Sequence, residues 1–143
     1  MTEDGHLLVI ANNKLRAFEH DALKPLGCDA IDTVAVAGTR LEGAFVLDRA
    51  GTLFFNGDGR CDKITAPAPL SRIAANSERL LAVAVDGAVW RRRDNAWARL
   101  PPPFKYRIGQ SPTVKQAQDV AVSAYSTWLV DTEGAVFLLS DET

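Results

Sequence analysis

Residues 73 to 94, IAANSERLLAVAVDGAVWRRRD, are matched without a gap by residues 120 to 141, VAVSAYSTWLVDTEGAVFLLSD. Ala74 aligns with Ala121, Val83 with Val130, Gly87-Ala88-Val89 with Gly134-Ala135-Val136, and Trp90 with Phe137, one aromatic for another. Each copy reads as an apolar run, an acidic residue, a turn residue tolerant of positive φ, and a second apolar run. That is how two antiparallel strands joined by a hairpin look in sequence. AFVLDRAGTLFF at 44 to 55 fits the same template with Asp48 and Gly51, and LLVIANNKLRAF at 7 to 18 fits it with Asn13 at the glycine position. Asparagine enters the left-handed region more readily than most residues with a side chain. Turn positions 13, 51, 87 and 134, at steps of 38, 36 and 47 residues, make a fourfold repeat.

The period and the residue types choose the architecture. Helical repeats of similar length would place apolar residues at i, i+3, i+4 and i+7, whereas these runs are short, rich in Val, Leu and aromatics, and bracketed by turn residues. The chain is therefore expected to be all-β: β-propeller blades, about four antiparallel repeats of three to four strands each. LLAVAV and TWLV are apolar at consecutive rather than alternate positions, which predicts strands covered on both faces. Neighbouring blades would supply that cover.

The repeats are placed at about 6 to 27, 31 to 65, 70 to 100 and 119 to 143, within one domain spanning 1 to 143, with an insertion loop at 101 to 118. No apolar run precedes the first hairpin, so the first repeat is expected to lack its innermost strand. The fourth is expected to lack an outer strand, because the sequence ends soon after its hairpin. Ragged ends on a row of blades predict a partial propeller completed by self-association, such as a homodimer, by a partner, or by further blades.

At 143 residues and 47% apolar the chain is long enough for one buried core. No stretch approaches the roughly 18 consecutive apolar residues of a membrane span, and MTEDGHLLVIANN lacks the layout of a secretory leader. An intracellular location, cytoplasm or nucleus, is expected, with no membrane partner. Cys28 and Cys61, both in C-D-x-I contexts, are then expected as free thiols, with a disulfide or a shared metal as the alternative.

The formal net charge of −2 hides an uneven distribution. Between 91 and 115 stand Arg91, Arg92, Arg93, Arg99, Lys105, Arg107 and Lys115 against Asp94 alone. An anionic partner near the third repeat is one reading of that stretch. Solvated edges and turns are the other, since neighbours along a strand point to opposite faces.

VAVAGTRLEGAFVLDRAGTLFFNG (34 to 57) resembles the repeat of the regulator of chromosome condensation superfamily, with its V-x-x-V-A-A-G opening, acidic-Gly turn and aromatic-bearing strand. RIAANSERLLAVAVDGAVWRRRDNAWARLP (72 to 101) is similar to tectonin blades, where a Trp-containing outer strand follows the aromatic strand after D-G. Both resemblances imply a propeller used as a binding platform. The histidine usual after A-A-G in the first family is replaced by Arg40, so the resemblance carries over no exchange activity and no catalytic residue.

Signatures of chemistry are sparse. No G-x-x-x-x-G-K-[ST] loop, G-x-S-x-G elbow or H-E-x-x-H helix occurs. His6 and His20 lie beside acidic residues but without a nucleophile near in sequence, which favours solvent-facing positions at strand ends over a general base. Asn56, Asp58, Arg60 and Asp62 alternate like calcium ligands, yet the D-x-D-x-D-G spacing fails. Asp48, Asp86 and Glu133 recur before the hairpin turns and are read as acceptors for turn amides. Trp90, Trp97 and Trp128 are read as blade packing. No enzyme, cofactor or metal is expected.

The leading functional reading is a non-enzymatic scaffold or protein-protein interaction module. Its candidate contact residues are Arg91, Arg92, Arg93, Arg99, Phe104, Lys105, Tyr106 and Arg107. The alternative is a nucleic-acid-contacting module using the same stretch, guanidinium groups holding phosphates and Phe104 and Tyr106 stacking on bases. A third reading, a glycan-binding lectin, follows from the tectonin likeness alone.

Overall fold

The computed structural model describes residues 7–28, 31–38, 43–57, 59–76, 78–100, 106–108, 117–123 and 126–139. Among them there is no helix, and the strands form four antiparallel sheets. The chain divides into two compact units, Met1–Leu70 and Ser71–Thr143.

In the first unit, β1 (Leu7–Ala11), β2 (Lys14–Glu19) and β3 (Ala22–Pro25) make a three-stranded sheet. This is the repeat expected to lack an innermost strand. Pro25, which cannot donate to a ladder, is tolerated because β3 is an edge. The second sheet runs β4 (Thr33–Ala37), β5 (Ala44–Asp48), β6 (Leu53–Gly57), β7 (Arg60–Ile64).

The third sheet, in the second unit, is β8 (Leu70–Ala75), β9 (Leu80–Ala84), β10 (Val89–Arg93), β11 (Ala96–Leu100), with β8 starting at the unit boundary. Every residue of β9 is buried, as the unbroken apolar run LLAVA requires. The fourth sheet contains β13 (Ala117–Val122), β14 (Thr127–Asp131) and β15 (Val136–Leu139), and it corrects the sequence reading. Its outer strand is β12 (Tyr106–Ile108), which lies inside the expected insertion loop, before the repeat it completes. Tyr106 pairs with Leu138, Arg107 with Phe137 and Ile108 with Val136. An open β15 edge needs a strand, and three residues of the long connection reach back to pair with it.

Turn chemistry accounts for the hairpins. In three of them the same loop recurs: Asp48 N–H donates to Thr52 O and Gly51 N–H to Asp48 O, with equivalent pairs at Ala84/Ala88 and Gly87, and at Asp131/Ala135 and Gly134. The glycines sit at φ +86, +87 and +83, the left-handed position of a three-residue hairpin loop. Asp48 Oδ1 accepts from Thr52 N–H and Asp131 Oδ1 from Ala135 N–H, so the acceptor role expected of Glu133 falls to Asp131. In the third repeat, where Ala84 holds that place, Asp86 accepts from Ala88 N–H. The first hairpin differs: Asn12 and Asn13, at φ 51 and 61, make a two-residue loop between paired Ala11 and Lys14. Both residues positive in φ is the type I′ geometry that asparagine favours. His20-Asp21 and Asp94-Asn95 repeat it.

Within each unit the two sheets pack by the same scheme. In the first, Leu15, Cys28 and Val46 are buried with Leu8, Val36 and Phe54 against them. In the second, Leu81, Val83, Val89, Ala117, Val120, Leu129 and Phe137 form the core. Counted from the hairpin registers, Leu15 corresponds to Val89, Leu8 to Leu81, Val46 to Leu129 and Phe54 to Phe137. Sheet one therefore meets sheet two by the same faces as sheet three meets sheet four. Each fully buried Leu or Phe contributes about 1.5–3 kcal/mol relative to exposure.

The cysteines depart from expectation. Cys28 and Cys61 are joined in a disulfide, their Cα atoms 4.8 Å apart and their positions 33 residues apart in sequence. Cys28 follows β3 and Cys61 lies in β7, so the bond ties the first sheet's exit to the second sheet's outer strand. Buried Asn56 holds the approach in place, its Oδ1 accepting from Cys28 N–H at 3.0 Å. That oxygen thus serves the fold.

Candidate functional site

Of the eight residues singled out from the sequence, Arg91, Arg92 and Arg93 fall on β10 and Arg99 on β11, the outer strand of its sheet. Tyr106 and Arg107 fall on β12, the outer strand of the fourth sheet. Phe104 and Lys105 lie outside the described residues. The basic stretch is therefore divided between two sheets.

Strand alternation divides it again. Arg91 and Arg93 share a face with Val89, which packs in the core with Leu81 and Val83. Arg92 shares the opposite face with Trp90. Across the ladder Trp90 stands opposite Arg99, and Arg92 opposite Trp97, so two indoles and two guanidinium groups alternate over neighbouring strands. Directly opposed side chains in such a ladder have Cβ atoms about 4.5–5.5 Å apart, close enough for a guanidinium to cover a ring.

Burial separates the arginines by role. Arg91, Arg92 and Arg93 are half-buried and Arg99 is exposed. Burial lowers the Arg92 pKa below the usual arginine range, because desolvation disfavours the charged form. Arginine still stays protonated at any physiological pH. Arg92 Nη2 donates to Asn95 Oδ1 at 2.9 Å, pinning it to the turn between β10 and β11. The triplet thus belongs to the sheet's own packing, and Arg99 is the member turned to solvent.

A further arginine was not legible as special in the sequence. Arg79 is 6% exposed and donates from Nη2 to the buried Thr127 Oγ1 at 2.9 Å. Asn76 Nδ2 likewise donates to Ser123 O at 3.0 Å. Asn76 and Ser123 are the aligned positions of the two matching repeats, so these bonds lock one copy's inner turn onto the next. The only hint was the alignment itself.

The other candidates have structural places. His20 is exposed at φ +50 in the turn between β2 and β3, and His6 lies outside the described residues. Trp128 Nε1 donates to Ser126 Oγ at 3.1 Å, and all three tryptophans are half-buried. No group of three or more His, Cys, Asp or Glu residues is placed to hold a metal among the described residues. A cleft of about 390 Å³ in the first unit is lined by Gly51, Thr52, Lys63 and the 65–69 segment, and it gathers no pair of groups suited to acid-base work. Among the described residues no helix is long and apolar enough to cross a membrane.

Repeated antiparallel sheets of three to four strands, packed face to face through equivalent positions, define a β-propeller type of protein. Known structures agree. Human WBSCR16 matches 93% of this chain and 44% of its own at a TM-score of 0.69 and 15% identity. BBS1N, solved in complex with ARL6DN, matches 98% of this chain and 45% of its own at a TM-score of 0.56 and 13% identity. PorZ of Porphyromonas gingivalis, described as an essential surface component of the type-IX secretion system, matches 96% of this chain and 24% of its own at a TM-score of 0.52 and 11% identity. At such identities the likeness is one of fold, and the chain spans less than half of each of these structures. No family model and no curated protein matches the sequence.

Proposed function

We propose that this chain is a non-enzymatic propeller scaffold that binds a protein partner along the outer rim of its second unit. The observation that carries the reading is the placement of Arg99 on β11 and of Tyr106 on β12, each strand the outermost of its sheet, whereas Arg107 stands opposite Phe137 of the core. An outer strand presents a free row of backbone donors and acceptors beside its side chains, and Arg and Tyr are residue types enriched where proteins meet. A neighbouring fold solved with a protein partner, BBS1N with ARL6DN, supports the general class. The likeness to RCC-type and tectonin blades belongs to this proposal and points the same way, toward a platform.

The nucleic-acid reading gains nothing from the geometry, since Arg91 and Arg93 share the core-packed face and Arg92 is pinned to its own turn. No feature favours a glycan. A Cys28–Cys61 disulfide suits an oxidising compartment better than the intracellular location expected from the sequence, because disulfides persist chiefly in oxidising compartments.

The test is affinity capture from a source lysate by the full chain and by an Arg99→Glu variant of unchanged circular dichroism. The reading expects one or more specifically retained proteins and their loss on charge reversal. Equal retention by both forms would remove the rim from the proposal.

A further inference from the structure

Two links reach Cys28 from a single rung of the second sheet. Asn56 and Cys61 stand directly opposite each other across β6 and β7. Asn56 Oδ1 accepts from Cys28 N–H at 3.0 Å, and Cys61 Sγ is bonded to Cys28 Sγ. The backbones are equally close, since a Cβ on Gly27 would stand 2.7 Å from Arg60 O and 2.8 Å from Gly59 C. Cys28 also packs with Leu15 and Val46. The exit of β3 is therefore held on β7 by a hydrogen bond, a backbone contact and a core cluster in addition to the bond between sulfurs. The two cysteines differ in setting. Cys28 is 0% exposed. Cys61 is half-buried on β7, the outer strand of its sheet, between exposed Arg60 and Asp62. By strand alternation exposed Lys63 shares the Cys61 face, while Arg60 and Asp62 take the other.

We propose that this disulfide is a reversible thiol-exchange site, entered at Cys61 and closed again by Cys28, whose substrates are small anionic thiols such as glutathione and the disulfides they form. Exchange requires a thiolate to reach the sulfur it attacks. Burial shields Cys28, so the incoming thiolate attacks Cys61 Sγ, and Lys63 on the same face attracts its negative charge. A new S–S bond forms there, the bond between the cysteines breaks, and its electron pair passes to Cys28 Sγ, which takes up a proton. A second thiolate then attacks the incoming sulfur of the mixed disulfide, releasing a small-molecule disulfide and the Cys61 thiolate. Two electrons have passed from two thiols to the protein. In the oxidising direction a small disulfide places one of its sulfurs on Cys61, and Cys28 expels it as a thiol. The noncovalent holds keep Cys28 against the rung of Asn56 and Cys61 while the bond is open, so closure is intramolecular.

The test starts from the full chain, reduced with dithiothreitol, freed of reductant and offered limiting N-ethylmaleimide under native conditions, with the label mapped to peptides over time. Cys61 should be labelled at least about tenfold faster than Cys28, because its sulfur alone is reached without opening the fold, and circular dichroism should match that of the oxidised chain. Oxidised glutathione in place of the maleimide should restore the disulfide at a rate independent of protein concentration, through a mixed disulfide confined to Cys61. Cys28→Ser should trap that species as a single glutathione adduct, and Cys61→Ser should take up none while folded. Equal labelling, label appearing first at Cys28, or equal adducts on the two variants would overturn the proposal. So would loss of folded circular dichroism on reduction, which would make the bond a structural staple only. The labelling order in the unsubstituted chain decides by itself should either variant fail to fold. No residue of the second unit's outer rim takes part, so failure here leaves the scaffold reading standing.

Discussion

At the scale of single residues, the hairpin glycines separate conformational need from crowding. Gly51 and Gly134 hold equivalent turns at φ +86 and +83. A Cβ on Gly51 would stand 2.9 Å from both Leu70 N and Leu70 O, whereas one on Gly134 would meet nothing within 4 Å. Gly134→Ala should cost about 1–2 kcal/mol, the penalty of a left-handed alanine. Gly51→Ala should cost about 1–3 kcal/mol more, because backbone must move to admit it. Urea titration of both variants measures the difference, and equal costs would contradict the close approach. The turn glycines were legible because a hairpin writes its needs locally. Arg79 was not: its bond to Thr127 joins positions 48 residues apart, and nothing beside it in sequence marks it from a surface arginine.

At the scale of elements, the strands were readable wherever apolar runs and turn residues alternate, and β9 is the clearest case, five buried residues in a row. Pairing between distant elements was less so. Cys28 and Cys61 give no sign in sequence that the exit of β3 meets β7, and free thiols were the expectation that compartment and spacing allowed. The disulfide closes a 33-residue separation. Replacing both cysteines by serine should destabilise the first unit by about 3–4 kcal/mol on the loop-entropy scale, read by denaturant unfolding. Thiol titration of the native protein should find no reactive sulfhydryl until reductant is added. A fully titratable pair in the oxidised preparation would remove the bond from the account. The basic stretch was visible as composition, but alternation about each strand decided that Arg91, Arg92 and Arg93 serve packing while Arg99 faces solvent.

At the scale of the whole molecule, the fourfold repeat was legible from turn spacing, and the three-stranded first sheet from the lack of an apolar run before β1. The outer strand of the fourth sheet was not, because it stands on the wrong side of its repeat in sequence. The order of β12 and β15 also bears on how the protein is born. Arg107 leaves the ribosome 30 residues ahead of Phe137, the residue it pairs with. At ordinary elongation speeds that is about 2 to 6 s, an interval in which the nascent strand has nothing to bind and a chaperone would find its target.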